Sequence, residues 1–170
     1  AFAAAGEPAF RTEGGAHDPQ KTAAMIELWE KCAQYHDPAN GIHIAIGPVT
    51  AYSASPDLLR AATRIRLKYG LPGHTHLLET RAQALMAKQL LPSGSAVQHL
   101  YDCGFLQVPG TSCAHTIWLT DEEIASLRQA DDVAAETGEG AVSAETLLLA
   151  VTAQPAPALQ KHTVVVPPKA

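Results

Sequence analysis

Apolar residues change their spacing several times along the chain, and each change marks an element. Residues 1–18 are small, Gly-rich and turn-prone, and read as loop. Over 19–36, Ala23, Ile26, Trp29, Cys32 and Ala33 recur at helical intervals. The turn-rich Asp37-Pro38-Ala39-Asn40-Gly41 ends that helix. The β-branched run 42–46, closed by Gly47-Pro48, predicts a buried strand. Ser55-Pro56-Asp57 starts a helix with Ser as N-cap and Pro in the first turn, and Gly70 closes it. Residues 71–78 predict a second strand. Residues 80–91 predict a helix with Leu85, Met86 and Leu90 on one side, stopped by Pro92. A further helix over 95–103 ends at Gly104, and 111–119 predict a third strand. Thr120-Asp121-Glu122-Glu123 is a capping box that opens a helix through Ala130.

Strands alternating with helices imply parallel pairing with helical crossovers, hence an α/β fold. A doubly wound sheet and a (β/α)8 barrel both satisfy the pattern. A whole barrel takes about 250 residues, so these 170 residues cannot hold eight standard units. From Val133 the texture shifts to Ala, Val, Thr and Pro, with one short helix expected over 143–152 and one short strand over 162–166. The chain therefore divides into an α/β part over 1–132 and an atypical tail over 133–170. The first residue is Ala1, and the opening reads as a chain entered partway through, without the charged and apolar regions of a secretory signal.

Composition narrows the function. Hydrophobic residues make up 46% and charged residues 17%, a globular balance. A net charge of −5 without a Lys/Arg cluster argues against a nucleic-acid or anionic-membrane binder. No stretch approaches the roughly 18 apolar residues of a membrane span. Cys32, Cys103 and Cys113 are odd in number and lack CxxC spacing, which indicates neither a disulfide framework nor a cysteine zinc site and points to the reducing cytoplasm. Eight histidines against three Phe and two Trp suggest that chemistry, beyond core packing, shaped the chain.

Two clusters carry that chemistry. On a strand over 71–78, His74 and His76 point the same way, with His76 near the C-terminal end, where parallel α/β sheets place their active sites. Glu79 follows in the strand-to-helix loop. A neutral imidazole ligates Zn or Fe, and a carboxylate beside an activated water shuttles its proton. His115 ends the next strand, 39 residues on. The competing reading makes the histidines hydrogen-bonded strand residues and Glu79 a first-turn residue favoured by the helix dipole. Cys113 reads as a buried small residue, and Trp29, Trp118 and Tyr101 as packing residues. His17, His36, His43, His99 and His162 have no partners at readable spacing.

His76-Leu77-Leu78-Glu79-Thr80, followed by Ala114-His115-Thr116-Ile117-Trp118-Leu119-Thr120 and Glu122-Glu123-Ile124, resembles the middle of the amidohydrolase superfamily. The branch it resembles contains the heterocycle deaminases and s-triazine chlorohydrolases, and the likeness covers about residues 20–132. It implies a partial (β/α)8 barrel of roughly strands 4 to 6 and a divalent metal, Zn or Fe. It further implies a small heterocyclic substrate that loses ammonia or another leaving group to an activated water. By position, His76 would be the metal ligand of strand 5. Glu79 would be the HxxE acid that protonates the ring nitrogen and shuttles the water proton. His115 would be the strand 6 histidine that holds and activates the attacking water. The chain departs from the family in four ways: no HxH pair precedes this segment, neither the strand 8 Asp nor the strand 7 Asn-Pro-x-Ser-Asn follows it, and Gly47-Pro48-Val49 stands where adenosine-derivative deaminases often carry Gly-Pro-His. The His74-Thr75-His76 pair could itself be the strand 1 HxH, but the upstream helix and the downstream layout favour strand 5. A reading-frame change after about residue 132 would produce such a tail. Weak turnover by this chain alone is expected, together with association with another copy or a complementing chain. The alternative is a non-catalytic α/β domain with structural histidines.

Overall fold

The computed structural model describes residues 2–5 and 17–136. Four parallel strands form one sheet in the order β1 (Phe2–Ala5), β2 (Ala45–Pro48), β3 (Gly73–Leu77) and β4 (Thr111–His115). Helix α1 (Pro19–Ala33) precedes β2, and α2 (Pro56–Tyr69) joins β2 to β3. Helices α3 (Arg81–Leu90) and α4 (Ala96–Asp102) lie between β3 and β4, and α5 (Asp121–Glu136) follows β4. Helical crossovers between neighbouring parallel strands carry helices onto the sheet. The core lies between them: Trp29, Ile46, Leu58, Leu59, Ile65, Leu71, Leu100 and Phe105 are all fully buried.

Local chemistry sets most element boundaries. The Ser55 hydroxyl accepts the Leu58 N–H at 3.1 Å, and Gly70 closes α2 in the left-handed region at φ 65°. Thr80 and Ser95 cap α3 and α4 by accepting from the N–H groups of Gln83 and Gln98. The expected capping box is reciprocal: Thr120 N–H donates to Glu123 at 3.1 Å, and Glu123 N–H donates to the Thr120 hydroxyl at 3.2 Å.

Four expectations are corrected. Residues 2–5 are a strand within the stretch expected to be loop; their ladder to β2 is a tertiary contact that a run of Phe and Ala does not announce. The strand expected over 42–46 runs from Ala45 to Pro48, because Ile42 bridges back to Asp37 across the 3-10 turn Pro38–Asn40. Helix α3 forms as expected, with Leu85, Met86 and Leu90 at 53%, 38% and 55% exposed and Ala87 buried. Trp118 and Tyr101 are 46% and 37% exposed and lie outside the core cluster. The α5 helix runs to Glu136, past the texture change at Val133; the helix expected over 143–152 and the strand over 162–166 lie outside the described residues.

One core feature fixes how β3 meets β4. Arg66 is fully buried on α2, and its guanidinium donates to the carbonyls of Leu71, Phe105, Val108 and Pro109 and to the Thr111 hydroxyl, while lying over the Phe105 ring. A buried cation is tolerated only when its donors are satisfied. Arg66 thus ties the loop entering β4 to the segment entering β3, at the end of the sheet opposite the histidines. Burial pulls its pKa down to about 9, with the Cys113 thiol acting in the opposite direction.

Candidate active site

Strand β3 alternates as its sequence predicts. Gly73, Thr75 and Leu77 are buried towards the helices, and His74 and His76 stand half-buried on the opposite face. Their rings meet edge to face with centroids 5.5 Å apart. The Val49 carbonyl, just past β2, accepts both the backbone N–H of His76 at 2.9 Å and its Nδ1 at 3.2 Å. A carbonyl only accepts, so Nδ1 of His76 carries a proton, and in the neutral ring the lone pair lies on Nε2.

His115 reaches the same face by a different route. Its register partner is Leu77, whose side chain points into the core, so unbroken alternation would turn His115 towards the helices. Instead His115 takes φ 74° and Thr116 φ 52°, left-handed backbone at two residues that are not glycine. The turn swings the His115 ring onto His76, with centroids 5.3 Å apart and planes 26° from parallel. Leu78 is left-handed as well, at φ 50°, and ends β3 just before Glu79. The two strand ends are stitched together: the Thr116 N–H donates to the Leu77 carbonyl at 2.8 Å, and the N–H groups of Ile117 and Trp118 donate to the Leu78 carbonyl at 3.2 and 3.1 Å. Gln83 of α3 accepts the Glu79 N–H at 2.7 Å. These bonds bring the Glu79 carboxylate to 3.5 Å from His115 Nε2, an ion pair whenever the imidazole is protonated. His76, Glu79 and His115, expected at one rim, therefore meet there.

Burial lowers the pKa of His74, with the neighbouring His76 and His115 adding to the effect. Burial likewise pushes the Cys113 thiol up to about 12, which keeps it a protonated strand residue rather than a nucleophile. As a metal ligand, His76 fits: its Nδ1–H is committed to a carbonyl, which orients Nε2 as a ligating nitrogen would need. The set around it is short. A catalytic zinc uses three protein ligands, and among the described residues no group of three or more His, Cys, Asp or Glu side chains is arranged to hold a metal. Two contributors escaped sequence reasoning. Val49 acts through its backbone carbonyl, which leaves no side-chain signature. Ser112, the β4 neighbour of His74, could have been found from strand register alone.

No protein-family model matches the chain. Curated relatives do match. The chain is 35% identical to a 5-methylthioadenosine/S-adenosylhomocysteine deaminase of Aquifex aeolicus over 51% of its own length and 20% of the relative's. It is 31% identical to a 5'-deoxyadenosine deaminase of Methanocaldococcus jannaschii over 66% of its length and 27% of the relative's. The chain is a homologue of amidohydrolase-superfamily deaminases. It spans only about a fifth to a quarter of the length of those relatives. Its α/β architecture matches part of a solved hydrolase, the atrazine chlorohydrolase TrzN of Arthrobacter aurescens TC1 complexed with zinc, with a TM-score of 0.59 at 23% identity over 71% of this chain and 26% of that one. Among the described residues no helix is long and apolar enough to cross a membrane.

Proposed function

We propose that this chain carries part of the active site of a metal-dependent amidohydrolase that displaces ammonia, or chloride, hydrolytically from a heterocycle. The observation that carries the reading is the meeting of His76, His115 and Glu79 at one end of a parallel sheet, from two consecutive strands and the loop that leads from the first of them into α3. Catalytic groups of parallel α/β folds gather at that end. In this proposal β2, β3 and β4 are barrel strands 4 to 6, residues 1–132 form the barrel portion, and 133–170 form a separate tail. The named activities of the relatives, on adenosine derivatives and a triazine, supply the substrate class. The three free cysteines suit a reducing cytoplasm. The exposed apolar stripe Leu85, Met86 and Leu90 suits association with another chain.

His76 is assigned to a divalent metal, Zn or Fe, through Nε2; when bound, such an ion supplies an activated water at neutral pH. The remaining chemistry belongs to this chain. The Glu79 carboxylate is the proton carrier: it accepts a proton from the attacking water and delivers it to a ring nitrogen of the substrate, which makes the ring carbon electrophilic. His115, paired through Nε2 with that carboxylate, holds it in place and compensates its charge when the imidazole is protonated. The set of ligands among the described residues is incomplete, so no step is assigned beyond these proton transfers.

The test is metal analysis joined to an ammonia-release assay on adenosine derivatives, guanine and aminated triazines. Zinc or iron that purifies with the chain and disappears in His76→Ala supports the reading. The opposing reading, structural histidines in a non-catalytic domain, draws on the hydrogen bonds that His74 and His76 already make. It predicts no bound metal and an unchanged protein after His76→Ala.

A further inference from the structure

The His76 ring hydrogen-bonds to Val49 at 3.2 Å and is also boxed in by His74 at 5.5 Å and His115 at 5.3 Å. What orients His74 therefore bears on His76. Ser112 sits opposite His74 on β4. Its hydroxyl donates to the Gly73 carbonyl at 3.1 Å, and its oxygen lies 2.8 Å from His74 Nδ1. A hydroxyl has one proton. With that proton spent on Gly73, the short contact to His74 must be donated by the imidazole, so Nδ1 of His74 carries a hydrogen whether the ring is neutral or charged. Ser112 thereby constrains the ring plane and the proton position of His74 from the neighbouring strand.

We infer that Ser112 and His74 are positioning residues, acting in series to set the orientation of the His76 ring. Ser112 locks His74 through Nδ1, and the edge-to-face contact of His74 limits the rotation of His76, leaving Nε2 of His76 aimed by three neighbours instead of one. This rests on the proposed role of His76, but only for its consequence; the geometric claim concerns the rings alone. Supporting groups of this kind change metal affinity by about 10- to 100-fold when removed from a metal-ligating histidine.

The experiment is long-range 15N–1H correlation of the histidine side chains in the intact chain, for the wild type, Ser112→Ala and Ser112→Thr. In the wild type, His74 and His76 are expected to carry the Nδ1 proton. In Ser112→Ala, His74 shifts towards the Nε2-protonated form common in water, and the His76 ring signals move with it. Ser112→Thr keeps the hydroxyl and restores the wild-type pattern, which a merely structural role for the serine would not require. Zinc titration by calorimetry adds a second readout, with affinity about tenfold weaker in Ser112→Ala and recovered in Ser112→Thr. A His74 that shifts while the His76 signals stay fixed overturns the inference, as does a wild-type His74 protonated at Nε2. If the wild type binds no zinc, the hydrolase reading falls, while the ring signals still decide the positioning claim.

Discussion

The guanidinium of Arg66 occupies the place a Cβ on Gly73 would take, so the first residue of β3 is glycine for want of room and not for backbone freedom. The same guanidinium holds four carbonyls and the Thr111 hydroxyl. The β3–β4 register that places Leu77 opposite His115 begins at this contact, with Gly73 opposite Thr111.

Gly73→Ala should therefore be costly for its size. Overpacking against a buried side chain typically costs about 1–3 kcal/mol. Arg66→Met should cost more, about 3 kcal/mol or above, because four carbonyls and the Thr111 hydroxyl each lose a charged donor. Urea denaturation followed by circular dichroism measures both. A Gly73→Ala protein as stable as the wild type would show that the loop yields easily and that the clamp is weak.

Glu79→Gln keeps the size of the side chain and removes the carboxylate. Proton transfer by a positioned group contributes about 10²–10⁴-fold to a rate. Ammonia release should drop by at least about a hundredfold, with thermal stability and metal content held near those of the wild type. His115→Asn should impair turnover similarly. Equal activity in both variants would remove this pair from the mechanism.

His99 on α4 is 6% exposed, and among the described residues its Nε2 has no hydrogen-bond partner. Burial lowers its pKa; Asp102 pulls it the other way, and Arg60 and His17 add to the lowering. A lowered folded value means the unfolded chain takes up the proton first, starting near about pH 6.5. Stability should be fully present above that pH and decline as the pH falls towards the folded pKa. His99→Leu should flatten this decline. Thermal midpoints taken from pH 7.5 to 5 for both proteins read it out, and parallel curves would exclude His99 as the source.

Thr120→Ala removes one arm of the α5 capping box and should cost about 1 kcal/mol. Glu123 also accepts from the Ser95 hydroxyl at 2.6 Å, which ties the start of α5 to the start of α4. Glu123→Ala should therefore exceed Thr120→Ala in a denaturation midpoint comparison, since it breaks two connections.

How much of this could be read from the chain follows from where the causes lie. The limits of α2 were legible because Ser55, Pro56 and Gly70 each act within a turn of themselves. Strand β1 was not, because Phe2–Ala5 owes its state to pairing with β2. The convergence of His76, Glu79 and His115 at one rim was legible from their places at strand ends. The path of His115 to the rim was not: simple alternation points it inward, and only the left-handed turn at residues 115 and 116 reverses it. Val49 contributes a carbonyl, which every residue has, so no side-chain pattern could single it out.

That turn has an evolutionary price tag. Leu78, His115 and Thr116 hold a backbone shape that glycine would adopt without strain. Folding alone would favour trading them away. A lineage that had lost its chemistry would be expected to drift to glycine at 115 and 116 early, so the persistence of a bulky ring and a β-branched residue at these positions in descendants would mark which copies still work.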